Sequence, residues 1–209
     1  MTLGDDLFLP LHGPTAACHD LHTGRPGSFS AAMRTLAEAR EAGRTVLVWS
    51  WLTRSTCRSL VSLVDRLCSE SVTGWAIVWP PGPSEGTVHS RTVSRLGIAV
   101  PHALRAIDRA HRRSLPARIH GVPLCALGPF AAWRTSGTAS EMAEVCEGCP
   151  SRPECPGVDP WYLARHGTGE LRPTPLVPRD ARGLEMSQRL ERVVQAALAA
   201  GTTVGQSDG

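Results

Sequence analysis

Apolar positions in the first 120 residues alternate between short unbroken runs and runs with helical spacing. The unbroken runs are rich in β-branched and aromatic residues, which is typical of buried strands; they lie at 7–9, 45–51, 75–79 and 117–119. Between them, apolar residues recur every three or four positions in three stretches that predict helices. Ser28 is the predicted cap of the first helix, Ser55 or Thr56 that of the second, and the third begins near Pro101. The stretch 12–27 is dense in turn formers and is predicted to be a loop.

Strands that alternate with helices form a parallel sheet with the helices as crossover connections. The predicted fold class is therefore α/β, and three such units are too few to close an eight-stranded barrel. We predict a partial (β/α) barrel or half-barrel of about three to four parallel strands over residues 1–120. The missing strands would leave an open sheet edge and an apolar surface, which would favour a partner or a dimer.

The pattern changes after Gly121. Residues 121–178 are rich in cysteine, proline and glycine, which predicts a loop-rich extension that binds a metal. Residues 179–200 contain an amphipathic pattern from about Ser187 and predict a C-terminal helix. Residues 201–209 are predicted to be a disordered tail.

Composition narrows the class of protein. The chain has 209 residues and a net charge of +3, and its most basic run, 105–113, reads as a solvated helix face, so nucleic acid is not an expected partner. No apolar run approaches the ~20 residues that a membrane span needs. The first six residues carry two acids and no Lys or Arg, unlike a secretory signal, so a cytoplasmic location is predicted. In a reducing compartment, seven cysteines favour metal binding or core packing over disulfides.

Four of the cysteines have ligand spacing. Cys146, Cys149 and Cys155 follow a C-x2-C-x5-C pattern, and Cys125 lies upstream with twenty residues between it and Cys146. A C-x2-C pair places two thiolates on one centre from a tight turn. Four thiolates bind a 4Fe–4S cluster or a structural zinc ion, and the single short pair with a longer step favours the cluster. Cys125 is the weaker assignment because it stands alone in the sequence.

The other three cysteines have no partner at ligand spacing; they are Cys18, Cys57 and Cys68. Cys68 shares a predicted apolar helix face with Leu60, Val64 and Leu67, so it is predicted to pack in the core.

The cysteine tail resembles the C-terminal auxiliary-cluster region of radical SAM proteins. In this chain the tail continues through Tyr162, Gly167 and 170–173, and the segment 121–125 resembles the piece that supplies the remaining cysteine in that family. Three upstream segments resemble the fourth, fifth and sixth strands of a radical SAM partial barrel; they are 9–29, 43–55 and 72–79. The resemblance covers about residues 7–173, with more specific motifs in the tail than in the strands.

The chain departs from the family at its defining motif. No three cysteines have the C-x3-C-x2-C spacing of the cluster that cleaves S-adenosylmethionine, and the Gly-Gly-Glu motif that binds the methionine amine is absent. A cluster with four thiolate ligands has no open iron for that chemistry. The resemblance therefore implies an auxiliary cluster that serves electron transfer or substrate holding. A full-length radical SAM enzyme, a peptide substrate or a second copy would be the partner.

Two alternative functions stay open, and a third is excluded by composition. A zinc-stapled binding or scaffold module has the same ligand set, and the chain could also be a fragment of a longer radical SAM enzyme. Nucleases with a similar cysteine tail need a carboxylate–lysine metal centre, and this chain contains no lysine.

Four polar residues are expected near the carboxyl ends of strands, either as remnants of a ligand pocket or as loop residues and helix caps; they are His12, His19, Asp20 and Arg54.

Overall fold

The computed structural model describes residues 2–3, 6–82, 93–135, 140–177 and 184–203. Five strands form one sheet in the order of the chain. They are β1 (Thr2–Leu3), β2 (Asp6–Pro10), β3 (Thr45–Trp51), β4 (Gly74–Val78) and β5 (Ala117–His120). The pairs from β2 to β5 are parallel, whereas the short β1 is antiparallel to β2. The predicted α/β class with a four-stranded parallel sheet is confirmed.

Seven α-helices connect or cover the strands in the part of the chain that the structure describes. They are α1 (Ala16–Thr23), α2 (Ser28–Glu41), α3 (Leu60–Ser69), α4 (Leu96–Arg112), α5 (Leu124–Leu127), α6 (Pro160–His166) and α7 (Leu184–Thr203). Short 3-10 turns precede α3 and punctuate the cysteine extension. The consecutive order of the parallel strands, each reached through helices, is the connectivity of a partial barrel.

The sheet separates two apolar cores because successive residues of a strand point to opposite faces. On one face, alternate strand residues such as Val48 and Ile77 pack with α2, α3 and α4. On the other face, Trp49, Trp51 and Val78 pack with α7. Every central strand is buried on both sides, which explains why the strands read as unbroken apolar runs.

Helix α7 covers the sheet face that the sequence led us to expect open. Leu190, Val193 and Ala197 are fully buried against the strands. A polar contact fixes one end of this packing, because Arg189 donates two hydrogen bonds to the buried carboxylate of Asp6 on β2. The expectation of an apolar surface is therefore wrong for this face of the sheet, which α7 covers, whereas the expected open sheet edge stays a prediction.

Two helix assignments from the sequence need correction. The predicted loop 12–27 contains α1, which begins after Thr15, whose side chain accepts the Cys18 amide, and ends at Gly24 with φ of 66°. Helix α4 begins at Leu96, five residues before Pro101, so the proline lies inside the helix. Pro101 is the sixth residue of α4, so it lacks the N–H that would donate to the Gly97 carbonyl, and the helix nevertheless continues to Arg112.

The predicted helix caps also differ from the observed ones. Ser28 is the first residue of α2, and its predicted capping role belongs to Asp20, which accepts the amides of Gly27 and Phe29. Thr56 does not cap α3: its hydroxyl donates to the Trp51 carbonyl and accepts the Thr53 amide. These hydroxyl and carboxylate contacts fold the loops that follow β2 and β3.

The structure also bears on the predictions for the C-terminal tail, the basic helix face, Cys68 and a membrane span. The prediction of a disordered tail from residue 201 is wrong for its first three residues, which continue α7, and 204–209 lie outside the described residues. Arg109 and Arg113 both pair with Asp65, as expected for a solvated basic helix face. Cys68 packs against the main core, as predicted. Among the described residues, no helix combines the length and the apolar character needed to cross a bilayer.

Candidate metal centre

Cys125, Cys146, Cys149 and Cys155 all line one cavity. The cavity is small, with a volume of about 20 Å³, and it is partly open to solvent. Each of the four residues is partly buried, so the thiols face the cavity without being sealed in the core. The structure thus brings together all four residues that the spacing selected, including the isolated Cys125.

Two separate parts of the fold deliver the four thiols. Cys125 lies in α5, which begins four residues after the end of β5, so the sheet positions it. The other three lie on consecutive tight turns, in which the Cys149 amide donates to the Cys146 carbonyl at 3.1 Å and the Cys155 amide donates to the Arg152 carbonyl at 3.3 Å. Turns of this kind reverse the chain within a few residues and keep successive sulfurs on one side.

Gly157 explains how the chain closes behind Cys155. Its φ is +73°, and a Cβ at this position would lie 2.5 Å from the Glu141 carbonyl oxygen. This approach lets Glu141 pair with Val158 in an antiparallel bridge, while the Ser140 amide donates to the Pro156 carbonyl at 2.7 Å. Only glycine meets both requirements, so the Pro-Gly after the last cysteine is a structural requirement of the loop.

Two thiols that line the cavity have raised pKa values, so a positively charged metal centre is favoured there. Burial raises the pKa of Cys125, and the nearby sulfurs of Cys155 and Cys146 raise it further. Burial also raises the pKa of Cys146, with added repulsion from Cys155 and Cys149. Because the pKa values of Cys125 and Cys146 are raised, these two thiols lose their protons more readily when a metal centre compensates the negative charge.

Backbone and cationic groups already face the sulfurs. The Thr174 amide donates to Sγ of Cys149 at 3.5 Å. A backbone hydrogen bond from Arg172 lowers the pKa of Cys125, and the charge of Arg152 lowers that of Cys146, each against the larger effect of burial. Hydrogen bonds to sulfur and nearby cations are the interactions that tune iron–sulfur sites. None of these contacts could be read from the cysteine spacing.

Among the described residues, no group of three or more His, Cys, Asp or Glu side chains is placed to hold a single metal ion. Four thiolates on one zinc ion at about 2.3 Å would have their sulfurs roughly 3.8 Å apart. The four-cysteine donor set is that of a 4Fe–4S cluster and of a structural zinc ion alike.

The cysteine extension is docked onto α4 through Tyr162. Its hydroxyl accepts the Leu96 amide at 2.8 Å and donates to Glu170, and Glu170 accepts the Gly97 amide at 3.1 Å. Arg95, the residue before α4, offers no side-chain cap, so Tyr162 and Glu170 cap the helix from the extension. The resemblance pointed to both residues, but their structural role became visible only from the fold.

The polar residues near the strand ends have structural partners. His12 accepts the Trp51 amide through Nδ1 at 3.3 Å, and its own amide donates to Nδ1 of His19 at 3.0 Å. Asp20 caps α2, and Arg54 is exposed. Burial, followed by repulsion from His22 and His19, lowers the pKa of His12 well below its ordinary value. These contacts favour the interpretation as loop residues and caps over that of a ligand pocket.

No protein-family model matches the sequence. No curated protein matches it either. Among solved structures, the chain is similar to a radical SAM methyltransferase from Sphaerobacter thermophilus, with 20% identity and a TM-score of 0.38. The likeness covers 55% of this chain and 33% of that chain, so it involves about a third of the methyltransferase. A likeness at this level assigns no activity to this chain.

Proposed function

We propose that this chain is an iron–sulfur protein that binds one 4Fe–4S cluster through Cys125, Cys146, Cys149 and Cys155. The observation that carries the proposal is that four cysteines from two separate segments line one cavity. Chance burial of cysteines would not bring Cys125 to the same cavity as the tail. When bound, the cluster would supply a one-electron redox centre on a rigid α/β scaffold.

Backbone contacts to two of the sulfurs favour a cluster in this proposal. The Thr174 amide donates to Sγ of Cys149, and a backbone hydrogen bond from Arg172 reaches Cys125. Hydrogen bonds to sulfur stabilise the anionic cluster–thiolate assembly and set its potential. A zinc-stapled scaffold module remains the competing function, because its ligand set is the same.

The proposed role is that of an auxiliary centre in a radical SAM-like protein. The sequence motifs of the tail support this family, and the absent C-x3-C-x2-C motif argues that this chain does not cleave S-adenosylmethionine by itself. We propose that it transfers electrons or holds substrate for a cytoplasmic partner. The partner would be a full-length radical SAM enzyme that acts on a peptide, or a second copy of the chain. Equally, the chain would be the auxiliary part of a longer enzyme of this type.

Anaerobic purification with iron, sulfide and zinc quantitation tests the proposal. We expect a brown protein with iron and sulfide in equal amounts and no zinc, and no 5′-deoxyadenosine when S-adenosylmethionine and a reductant are added. Cys146→Ala should abolish cluster binding, whereas Cys68→Ala, a core cysteine outside the cavity, should keep it.

Two outcomes would contradict the proposal. A colourless protein after reconstitution, or one that holds a single zinc ion and no iron, removes the redox function. Cluster binding that survives Cys125→Ala would reduce the ligand set to three cysteines and leave one iron open.

A further inference from the structure

The strongest unassigned feature is a buried arginine beside the cysteine cavity. Arg134 follows the 3-10 turn Gly128–Trp133, and it is only 4% exposed. Its backbone pairs with Ile119 of β5 in an isolated parallel bridge, and the next amide, Thr135, donates to the Ile119 carbonyl at 2.9 Å. The side chain therefore starts from the edge of the sheet, a fixed position from which it can reach the extension.

The guanidinium joins three segments that build the cavity. Nη1 donates to the Ala131 carbonyl at 2.6 Å and to the Val177 carbonyl at 2.8 Å. Nη2 donates to Glu154 at 2.5 Å. Ala131 lies in the turn that follows the Cys125 helix, Glu154 immediately precedes Cys155, and Val177 ends the segment that carries Arg172 and Thr174.

These three partners give the arginine a geometric task. The distance between Cys125 and Cys155 depends on how α5 sits against the loop 149–155. Arg134 contacts Glu154 in that loop and Ala131 in the 3-10 turn that directly follows α5. The segment 171–177 also supplies the backbone groups that face Cys125 and Cys149. Because the planar guanidinium offers several donors in a fixed fork, it can hold all three segments at once, which a lysine ammonium cannot do.

We propose that Arg134 is a positioning residue that fixes Cys125 and the Cys149–Cys155 loop in one arrangement, and that it thereby determines how tightly the cysteine site retains its metal centre. The inference rests on the proposed function for its metal. The hydrogen bonds of Arg134 to Ala131, Val177 and Glu154, which we call the Arg134 clamp, are formed by the polypeptide alone. Outer-shell groups that orient ligands typically change metal affinity by roughly 10–100-fold. A loss of that size is expected when the clamp is removed.

The first test measures the metal-free chain. Hydrogen exchange of the segments 149–158 and 171–177 should become on the order of tenfold faster in Arg134→Gln than in the unmodified chain, whereas exchange in α4 should stay unchanged. Arg118 gives a matched control, because it is also a buried arginine but contacts Ser187 on the opposite face of the sheet. Arg118→Gln should leave both segments unchanged.

The second test measures the reconstituted full chain. Arg134→Gln should lose cluster absorbance to a chelator roughly 10–100-fold faster than the unmodified chain. Arg134→Lys should fail to restore retention although it keeps the charge, and Glu154→Gln should keep most of it because the amide oxygen still accepts from Nη2. The reduction potential of the cluster, followed by electron paramagnetic resonance, should shift in Arg134→Gln and not in Arg118→Gln.

The outcomes separate the two proposals. If the unmodified chain binds no cluster, the proposed function fails, and the hydrogen-exchange result still decides whether the clamp exists. If the chain binds a cluster while Arg134→Gln shows unchanged exchange, retention and potential, the clamp is refuted and the iron–sulfur function stands. Should Arg134→Gln not fold, Arg134→Lys carries the test, and full retention in that variant refutes the proposal.

Discussion

Replacing Tyr162 with Phe tests whether the cysteine extension is an integral part of the α/β scaffold. The change removes one oxygen atom and keeps the buried ring, which packs edge-on against Trp79. The Leu96 amide then loses its acceptor, and Glu170 loses a donor. Leu96 is 1% exposed, so water does not readily replace the lost contact.

The magnitude follows from these two contacts. A buried amide left without an acceptor costs about 1–3 kcal/mol. The second contact contributes about 0.5–1 kcal/mol, because Glu170 is partly exposed and keeps the Gly97 amide. The variant should therefore lose roughly 1.5–4 kcal/mol of unfolding free energy, which for a chain of this size lowers Tm by roughly 3–16 °C.

Urea unfolding of the metal-free chain measures this loss, and Trp161→Phe, at a partly exposed neighbour, is the control. Because Tyr162 is the only tyrosine, its ultraviolet titration gives a second readout. Burial and the hydrogen bond to Glu170 raise its pKa, so the phenol of the folded chain should ionise well above the ordinary value of about 10. Ionisation in the unfolded chain then makes stability fall as pH rises above about 10. A loss below about 0.5 kcal/mol together with an ordinary titration would refute the docking role.

Three further predictions concern other parts of the molecule. The unfolding free energy should fall as pH drops below about 6.5, because burial lowers the pKa of His12 and the unfolded chain therefore binds a proton that the folded chain does not. Urea unfolding at several pH values should show a smaller slope of free energy against pH in His12→Asn. The slope that remains is due to His19, whose pKa burial also lowers. Gly157→Ala should cost at least about 1–2 kcal/mol from the left-handed backbone alone and reduce iron content after reconstitution. Leu190→Ala should cost about 2–5 kcal/mol in urea unfolding and leave iron content unchanged, since α7 packs on the opposite core.

Local sequence signals predicted the strands well because both of their faces are buried. The run 45–51 is apolar at every position except Thr45 and Ser50, and β3 has these bounds. Helix α1 was missed because Gly and Pro dominate its surroundings, although Thr15 and Gly24 are ordinary cap residues. The spacing of apolar residues indicates which side of a segment is buried, so a helix with a weak apolar face produces only a weak helical pattern in the sequence.

The sequence likewise predicted some residues of the candidate site and missed others. Spacing selected Cys146, Cys149 and Cys155, because a short loop constrains its own ligands. Arg134 gave no sequence signal, since its contacts join segments that are distant along the chain. Tertiary contacts of this kind follow from the fold and not from any local pattern.

The position of α7 has a consequence for the way the protein is made. The Asp6–Arg189 contact joins residues 183 positions apart, so the second core cannot close until almost all of the described chain has left the ribosome. During synthesis, Phe8, Trp49 and Trp51 have no helix to cover them. Nascent chains with such surfaces are prone to aggregate, and they are typical clients of chaperones that bind aromatic and aliphatic segments. The final helix thus determines how long the growing polypeptide depends on protection in the cell.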